Sequence, residues 1–155
     1  MNCVQQPADF SDRYITKTNR PLRLLFLEEA DVSTGGHLDH IYDHFRSQCT
    51  ARYEKVETVA DARKQIAWAD AVWLEWASEL MAEVTQQVDR LNELPVLARL
   101  HGFEVFTSTP LAFNWEVVDK LIFVAEHKRR IFHSRVPNPP ARETVIRNGI
   151  DVDQF

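Results

Sequence analysis

Short apolar runs and stretches of helical period take turns along this chain. Leu22-Arg-Leu-Leu-Phe-Leu27 reads as a first strand. From His37 to Gln48, Leu38, Ile41, Tyr42 and Phe45 recur at i, i+3, i+4 and i+7, the spacing of one helix face. Arg52 to Thr58 predicts a second strand, with Tyr53 and Val56, and Asp61 to Ala69 a short helix with Asp61 as N-cap. Ala71-Val-Trp-Leu-Glu-Trp76 reads as a third strand, and Ser78 to Leu94 as a long helix capped by Ser78. Pro95 opens a fourth strand, Val96-Leu-Ala-Arg-Leu100. Leu111 to Val117 suggests a short helix, Lys120 to Ala125 a fifth strand, and Glu126 to Ser134 a further helix. Val136-Pro-Asn-Pro-Pro140 reads as a rigid extended loop. Thr144 to Arg147 is a sixth strand.

The strand-like runs are apolar on consecutive residues, as expected for strands covered on both sides. Strand and helix alternate at a spacing that implies right-handed βαβ units. The predicted fold class is therefore α/β: a doubly wound parallel sheet of about six strands, with helices on both faces.

Composition narrows this without changing it. The 155 residues, 45% hydrophobic and 26% charged, suit one soluble globular domain with a sizeable core. That domain is expected over residues 20–155, after a polar, aperiodic arm at 1–19. A net charge of -5 argues against a nucleic-acid partner, which requires a cationic footprint. No apolar run approaches the roughly 20 residues of a membrane span, and Met1 to Asn19 holds no signal-peptide core. Cys3 and Cys49 are too few for a disulfide framework, so a cytoplasmic, reducing location is expected. The β-branched run Thr144-Val-Ile146 stops at Asn148-Gly149, a turn signal, with no helix to follow. A parallel strand needs cover on both faces, so the ending reads as a domain boundary.

In such sheets ligands bind beyond the carboxyl ends of the strands. Glu28, Glu29, Glu75, Trp76, Ser78, His101, Gly102, Glu104, Glu126, His127, Asn148 and Gly149 all fall there. Gly35-Gly36 precede a helix, where bare backbone N–H groups and the helix N-terminus suit a phosphate or a sugar hydroxyl. His37, first after the glycines, would face the same cleft. The plain alternative for the Gly pair is a turn. Neither a Walker A loop nor a G-x-G-x-x-G fingerprint is present. Arg99 and His101 share one strand face by the period of two. An imidazole at that strand end can bond a sugar hydroxyl or act as a general acid or base; its plain alternative is a structural His bonding a loop carbonyl. His40 and His44 stand at i, i+4, but without an H-E-x-x-H signature they read as a solvated helix flank, and no metal is expected. Trp68, Trp73, Trp76 and Trp115 read as core or interdomain mass, with Trp76 also placed to stack on a sugar ring. Lys128-Arg-Arg130 reads as a solvated face, with peripheral association to an anionic membrane as the minor option.

Taken in order, these features resemble the N-terminal domain of a GT-B glycosyltransferase of the family-four, "group 1" type, from about Leu22 to Phe155. Val145-Ile-Arg-Asn-Gly-Ile-Asp-Val-Asp-Gln-Phe155 is similar to the V-I-x-N-G-V-D-x-x-x-F segment where such enzymes leave their first Rossmann-like domain. Asp119-Lys-Leu-Ile-Phe-Val-Ala-Glu-His-Lys128 resembles the strand and helix before it. Ser33-Thr-Gly-Gly36 is similar to the Gly-rich loop after strand one, and Arg99-Leu-His-Gly102 to the strand end that carries a His.

The resemblance implies transfer of a sugar from a nucleotide-sugar donor to a sugar or glycan acceptor, with retention and without metal or other cofactor. It implies that this chain is the acceptor-side half, and that the donor binds mainly to a C-terminal domain absent here. By motif, His101 is the implied catalytic residue beside the transferred sugar. Gly35 and Gly36 are implied near the donor phosphates, with His37, Glu104 and Asn148 as further binding residues. Ala125 departs from the Ser usual in the family, and Glu75 and Trp76 from a commoner His or small residue. Apolar surface at the would-be lobe interface would favour a homodimer of the half. The runner-up is a non-catalytic Rossmann-like module binding a phosphorylated small molecule or a protein partner. A receiver domain would need an Asp where Glu75 stands, and an NAD enzyme the missing Gly fingerprint.

Overall fold

A computed structural model describes residues 20–31 and 38–149. Among these residues, six strands alternate with five helices: β1 (Arg23–Glu29), α1 (Asp39–Arg46), β2 (Thr50–Val56), α2 (Val59–Ile66), β3 (Ala71–Glu75), α3 (Glu79–Gln87), β4 (Val96–Leu100), α4 (Thr109–Ala112), β5 (Lys120–Phe123), α5 (Glu126–His133) and β6 (Arg142–Val145). Single 3₁₀ turns lie at Asp89–Glu93, Glu104–Phe106 and Trp115–Val117. The strands form one sheet in the order β2-β1-β3-β4-β5-β6, and every pair is parallel. This is the expected α/β, Rossmann-like doubly wound fold. The winding reverses between β1 and β3, so the switch-point crevice lies beyond their carboxyl ends.

The two sheet faces are packed by different elements. Leu25, Leu27, Val72, Leu74, Ala98, Leu100, Leu121 and Phe123 point to one face, where Ala62 and Ile66 of α2, Met81 and Val84 of α3 and Phe132 of α5 complete the larger core. Leu24, Phe26, Trp73 and Ile122 point to the other and meet Leu38, Ile41, Tyr42 and Phe45 from the α1 segment. Each fully buried Leu or Phe is worth about 1.5–3 kcal/mol, so dense apolar strands between two helical layers account for the fold.

Several boundaries differ from the sequence expectation. α2 is capped by Thr58, not Asp61: the Thr58 hydroxyl accepts from the Asp61 N–H and donates to the Asp61 carboxylate. Asp61 thus sits in the first turn, where a negative charge suits the helix dipole. Ser78 caps α3 as expected, accepting from the Met81 N–H. The long helix breaks at Val88, whose ψ of 89° leaves the helical region, and resumes as the 3₁₀ turn. Leu111–Val117 divides into the end of α4 and a separate 3₁₀ turn, because Asn114 is extended and its side chain accepts from the Glu116 N–H. β6 begins two residues before the expected Thr144, since the ladder to β5 pairs Lys120 with Arg142 through Phe123 with Val145.

At the amino ends of β1 and β3, Asp70 accepts from Nη1 and Nη2 of Arg20 (2.6 and 2.7 Å) and from the Arg23 N–H (3.0 Å). Among the described residues, no helix is long and apolar enough to cross a membrane. The expectations for the arm at 1–19, for Gly35, Gly36 and His37, and for the last six residues lie outside the described residues.

Candidate functional site

Strand register builds a row of charges across the sheet near its carboxyl edge. Lys55 of β2 pairs with Glu28 of β1. One step beyond the Leu27–Leu74 pair, Glu28 faces Glu75 of β3, and Glu75 pairs with Arg99 of β4. Parallel partners share a face, so Lys55, Glu28, Glu75 and Arg99 all lie on the α1 side. Glu28, Glu75 and Arg99 are buried.

The apolar row beneath sends polar tips up to this charged row. The Tyr53 hydroxyl donates to Glu28 Oε2, which Lys55 Nζ also approaches at 3.8 Å. The Trp73 indole N–H donates to Glu75 Oε2 at 2.7 Å. Glu75 Oε1 takes His101 Nε2 at 2.5 Å and has Arg99 Nε at 3.6 Å. When the Glu75 carboxylate accepts in this contact, His101 Nε2 is the donor. Burial pushes the Glu28 carboxyl above its ordinary pKa, and the Glu75 charge adds to the rise; Tyr53 and Lys55 pull the other way. Burial lowers the Arg99 guanidinium, and Glu75 opposes it.

His101 leaves β4 in a tight turn. Gly102 has φ 137°, in the region that favours glycine, and a Cβ there would stand 2.8 Å from Lys128 Cε. Glu104 folds back and accepts the His101 N–H (3.0 Å) and the Gly102 N–H (2.6 Å). The imidazole stacks on Trp76 with centroids 4.0 Å apart and planes 22° apart. Trp76 has φ 69°, a left-handed conformation that a bulky side chain rarely adopts. Phe103 leans on its ring at 5.2 Å. Beyond β6, Asn148 returns over the edge and accepts from Arg99 Nη2 at 3.3 Å.

The structure therefore gathers three of the expected site residues, His101, Glu104 and Asn148, around one buried network. It gives them different tasks. Glu104 is consumed in pinning the turn, Asn148 holds Arg99, and His101 is held by Glu75 with 6% of its side chain in solvent. Trp76 is buried with its ring against His101, in keeping with its reading as core mass and not with the secondary option of stacking on a sugar. His40 and His44 are exposed, as a solvated flank should be, and the Gln48 amide bonds His44 at 2.9 Å. Among the described residues no cluster of His, Cys, Asp or Glu is suited to hold a metal.

The network itself, Glu28, Glu75 and Arg99, was only half visible in the sequence. Its signal is a charge at the last inward position of three otherwise apolar strands: Phe26 then Glu28, Trp73 then Glu75, Leu97 then Arg99. Among the described residues, three buried atoms in and beside it, Glu28 Oε1, Trp76 Nε1 and Arg99 Nε, make no hydrogen bond of ordinary geometry, although Trp76 still pulls the Glu28 carboxyl pKa down. Fold and site together define a Rossmann-like domain with buried charge along its carboxyl edge. No protein-family model, curated protein or solved structure matches the chain.

Proposed function

We propose that this chain is the acceptor-side lobe of a two-lobed glycosyltransferase, which moves a sugar from a nucleotide-sugar to a sugar or glycan acceptor. One observation carries the reading. A buried network of Glu28, Glu75, Arg99 and His101 stands beside the switch-point crevice, where doubly wound sheets bind ligands. Removing each such ion from water costs several kcal/mol before pairing, and a core built for stability alone avoids that cost. Charged groups held in fixed geometry at a strand end are the arrangement a polar substrate needs.

In this reading His101 acts beside the transferred sugar, and Glu75 fixes its tautomer and ring plane. The resemblance of Arg99-Leu-His-Gly102 and of the Asn148-Gly149 segment to the glycosyltransferase motifs supports the same assignment. A second lobe closing over this edge would exclude the water that otherwise hydrolyses the donor. A receiver-like module is disfavoured, because Glu75, at the position of its phospho-acceptor, is fully buried.

The test is turnover of radiolabelled nucleotide-sugars. The 155 residues alone should transfer nothing, and the full product of the gene should transfer sugar to an acceptor. In that product His101→Ala should lower kcat by roughly 10²–10⁴, the usual worth of a positioned acid–base group, with donor KM nearly unchanged. Turnover by the 155 residues alone, or an undiminished kcat in the variant, sinks the reading.

A further inference from the structure

The large apolar side chains left in solvent are not scattered. Of the five exposed among the described residues, Leu22 and Ile146 stand apart, but Phe103, Phe106 and Leu111 all come from the short stretch that follows β4. Isolated exposed apolar residues are ordinary, but three within one segment leaving the charged edge are not. The Phe106 ring already has a partner, since Lys128 Nζ stands 4.4 Å over it. Phe103 is 58% exposed and is backed by a pile of rings: it leans on Trp76, and Trp76 stacks on His101. That pile is rigidly founded, because Glu75 holds the imidazole and Glu104 pins the backbone on both sides of it.

Resting on the sugar-handling reading above, we infer that Phe103 is a stacking platform for a pyranose ring at the mouth of the His101 site. One face of a pyranose is a patch of C–H groups with partial positive charge, and the face of a phenyl ring is electron-rich. The two pack without either losing a hydrogen bond, while the sugar's hydroxyls stay directed at polar groups along the edge. Trp76 cannot serve, because one of its faces is spent on His101 and the residue is buried. The left-handed backbone of Trp76 fits this arrangement. Strain of this kind collects at functional sites, and here it turns the indole under Phe103.

The geometry also supplies the readout. A ring settling on Phe103 changes the surroundings of Trp76, so sugar binding should alter tryptophan emission. The probes are the α- and β-methyl glycosides of glucose, galactose, mannose and N-acetylglucosamine, titrated at millimolar concentration. At least one should change the emission of the wild-type chain. For that glycoside, Phe103→Ala should bind roughly three- to tenfold more weakly, the worth of one aromatic contact. Phe103→Tyr should restore binding to near the wild-type level, and Leu111→Ala should leave it unchanged. Phe103 is exposed, so both variants should melt with the wild type. Binding unaffected by Phe103→Ala, but lost in His101→Ala, overturns the platform and leaves the sugar-handling reading standing. No response to any of the eight glycosides, by emission or by saturation-transfer NMR, overturns both.

Discussion

At the scale of single residues, the turn after β3 shows how backbone and side chain can pull in opposite directions. Trp76 gains its stack on His101 and its burial, but holds φ at 69°. Truncation removes the ring in either variant, and only glycine also removes the Cβ that the left-handed region penalises. Trp76→Gly should therefore be more stable than Trp76→Ala by about 1 kcal/mol, the reverse of the usual ranking. Urea unfolding of the two variants checks this, and alanine ranking above glycine would contradict the strain. The charged row was legible only in part at this scale. Period-two placement puts Arg99 and His101 on one face, but nothing in a single strand says that Glu28, Glu75 and Arg99 stand side by side. That depends on lateral register, which neighbouring strands set together.

At the scale of elements, the type and order of the long segments were readable because period and burial agree. α1 shows Leu38, Ile41, Tyr42 and Phe45 to one sheet face as its spacing predicts. The helix starts were less so, since Thr58 and Asp61 are both acceptable N-caps. The structure chooses Thr58, whose extended backbone (φ -139°, ψ 157°) lets its hydroxyl reach the Asp61 N–H. Thr58→Ala should cost about 1 kcal/mol. Asp61→Ala should cost less, because that residue supplies first-turn charge and one exposed side-chain bond. Equal or inverted costs in chemical denaturation would return the cap to Asp61. The break at Val88 was not legible, because the sequence carries neither Pro nor Gly there; Leu91 nonetheless reaches the same core from the 3₁₀ turn.

At the scale of the whole molecule, the two ends of the sheet differ in kind. The carboxyl edge concentrates buried charge. At the amino edge lies a partly exposed cluster in which Asp70 bridges Arg20, Arg23 and the start of β1. Hydrogen bonds from Arg20, then from Arg23, hold the Asp70 carboxyl well below the ordinary carboxylate range, against the opposing effect of burial. A carboxyl depressed in the folded state adds stability above its unfolded pKa and loses it as pH falls toward its folded one. Asp70→Asn should thus destabilise the chain at pH 7. Its deficit against wild type should begin to shrink below about pH 4 and keep shrinking down to the most acidic pH at which the chain remains folded. Thermal melts across that range test it, and a deficit that does not change with pH would remove Asp70 as its source.

The sequence by itself determined the fold class. Consecutive apolar residues in short runs demand cover on both faces, and the helical stretches between them supply it, so a parallel α/β sheet follows from local spacing. The tertiary structure alone decided the strand order, the stacking of Trp76 on His101 and the row from Lys55 to Arg99. Those features join residues distant along the chain, and their geometry is set by how neighbouring strands register and how loops close over them, which no local period records.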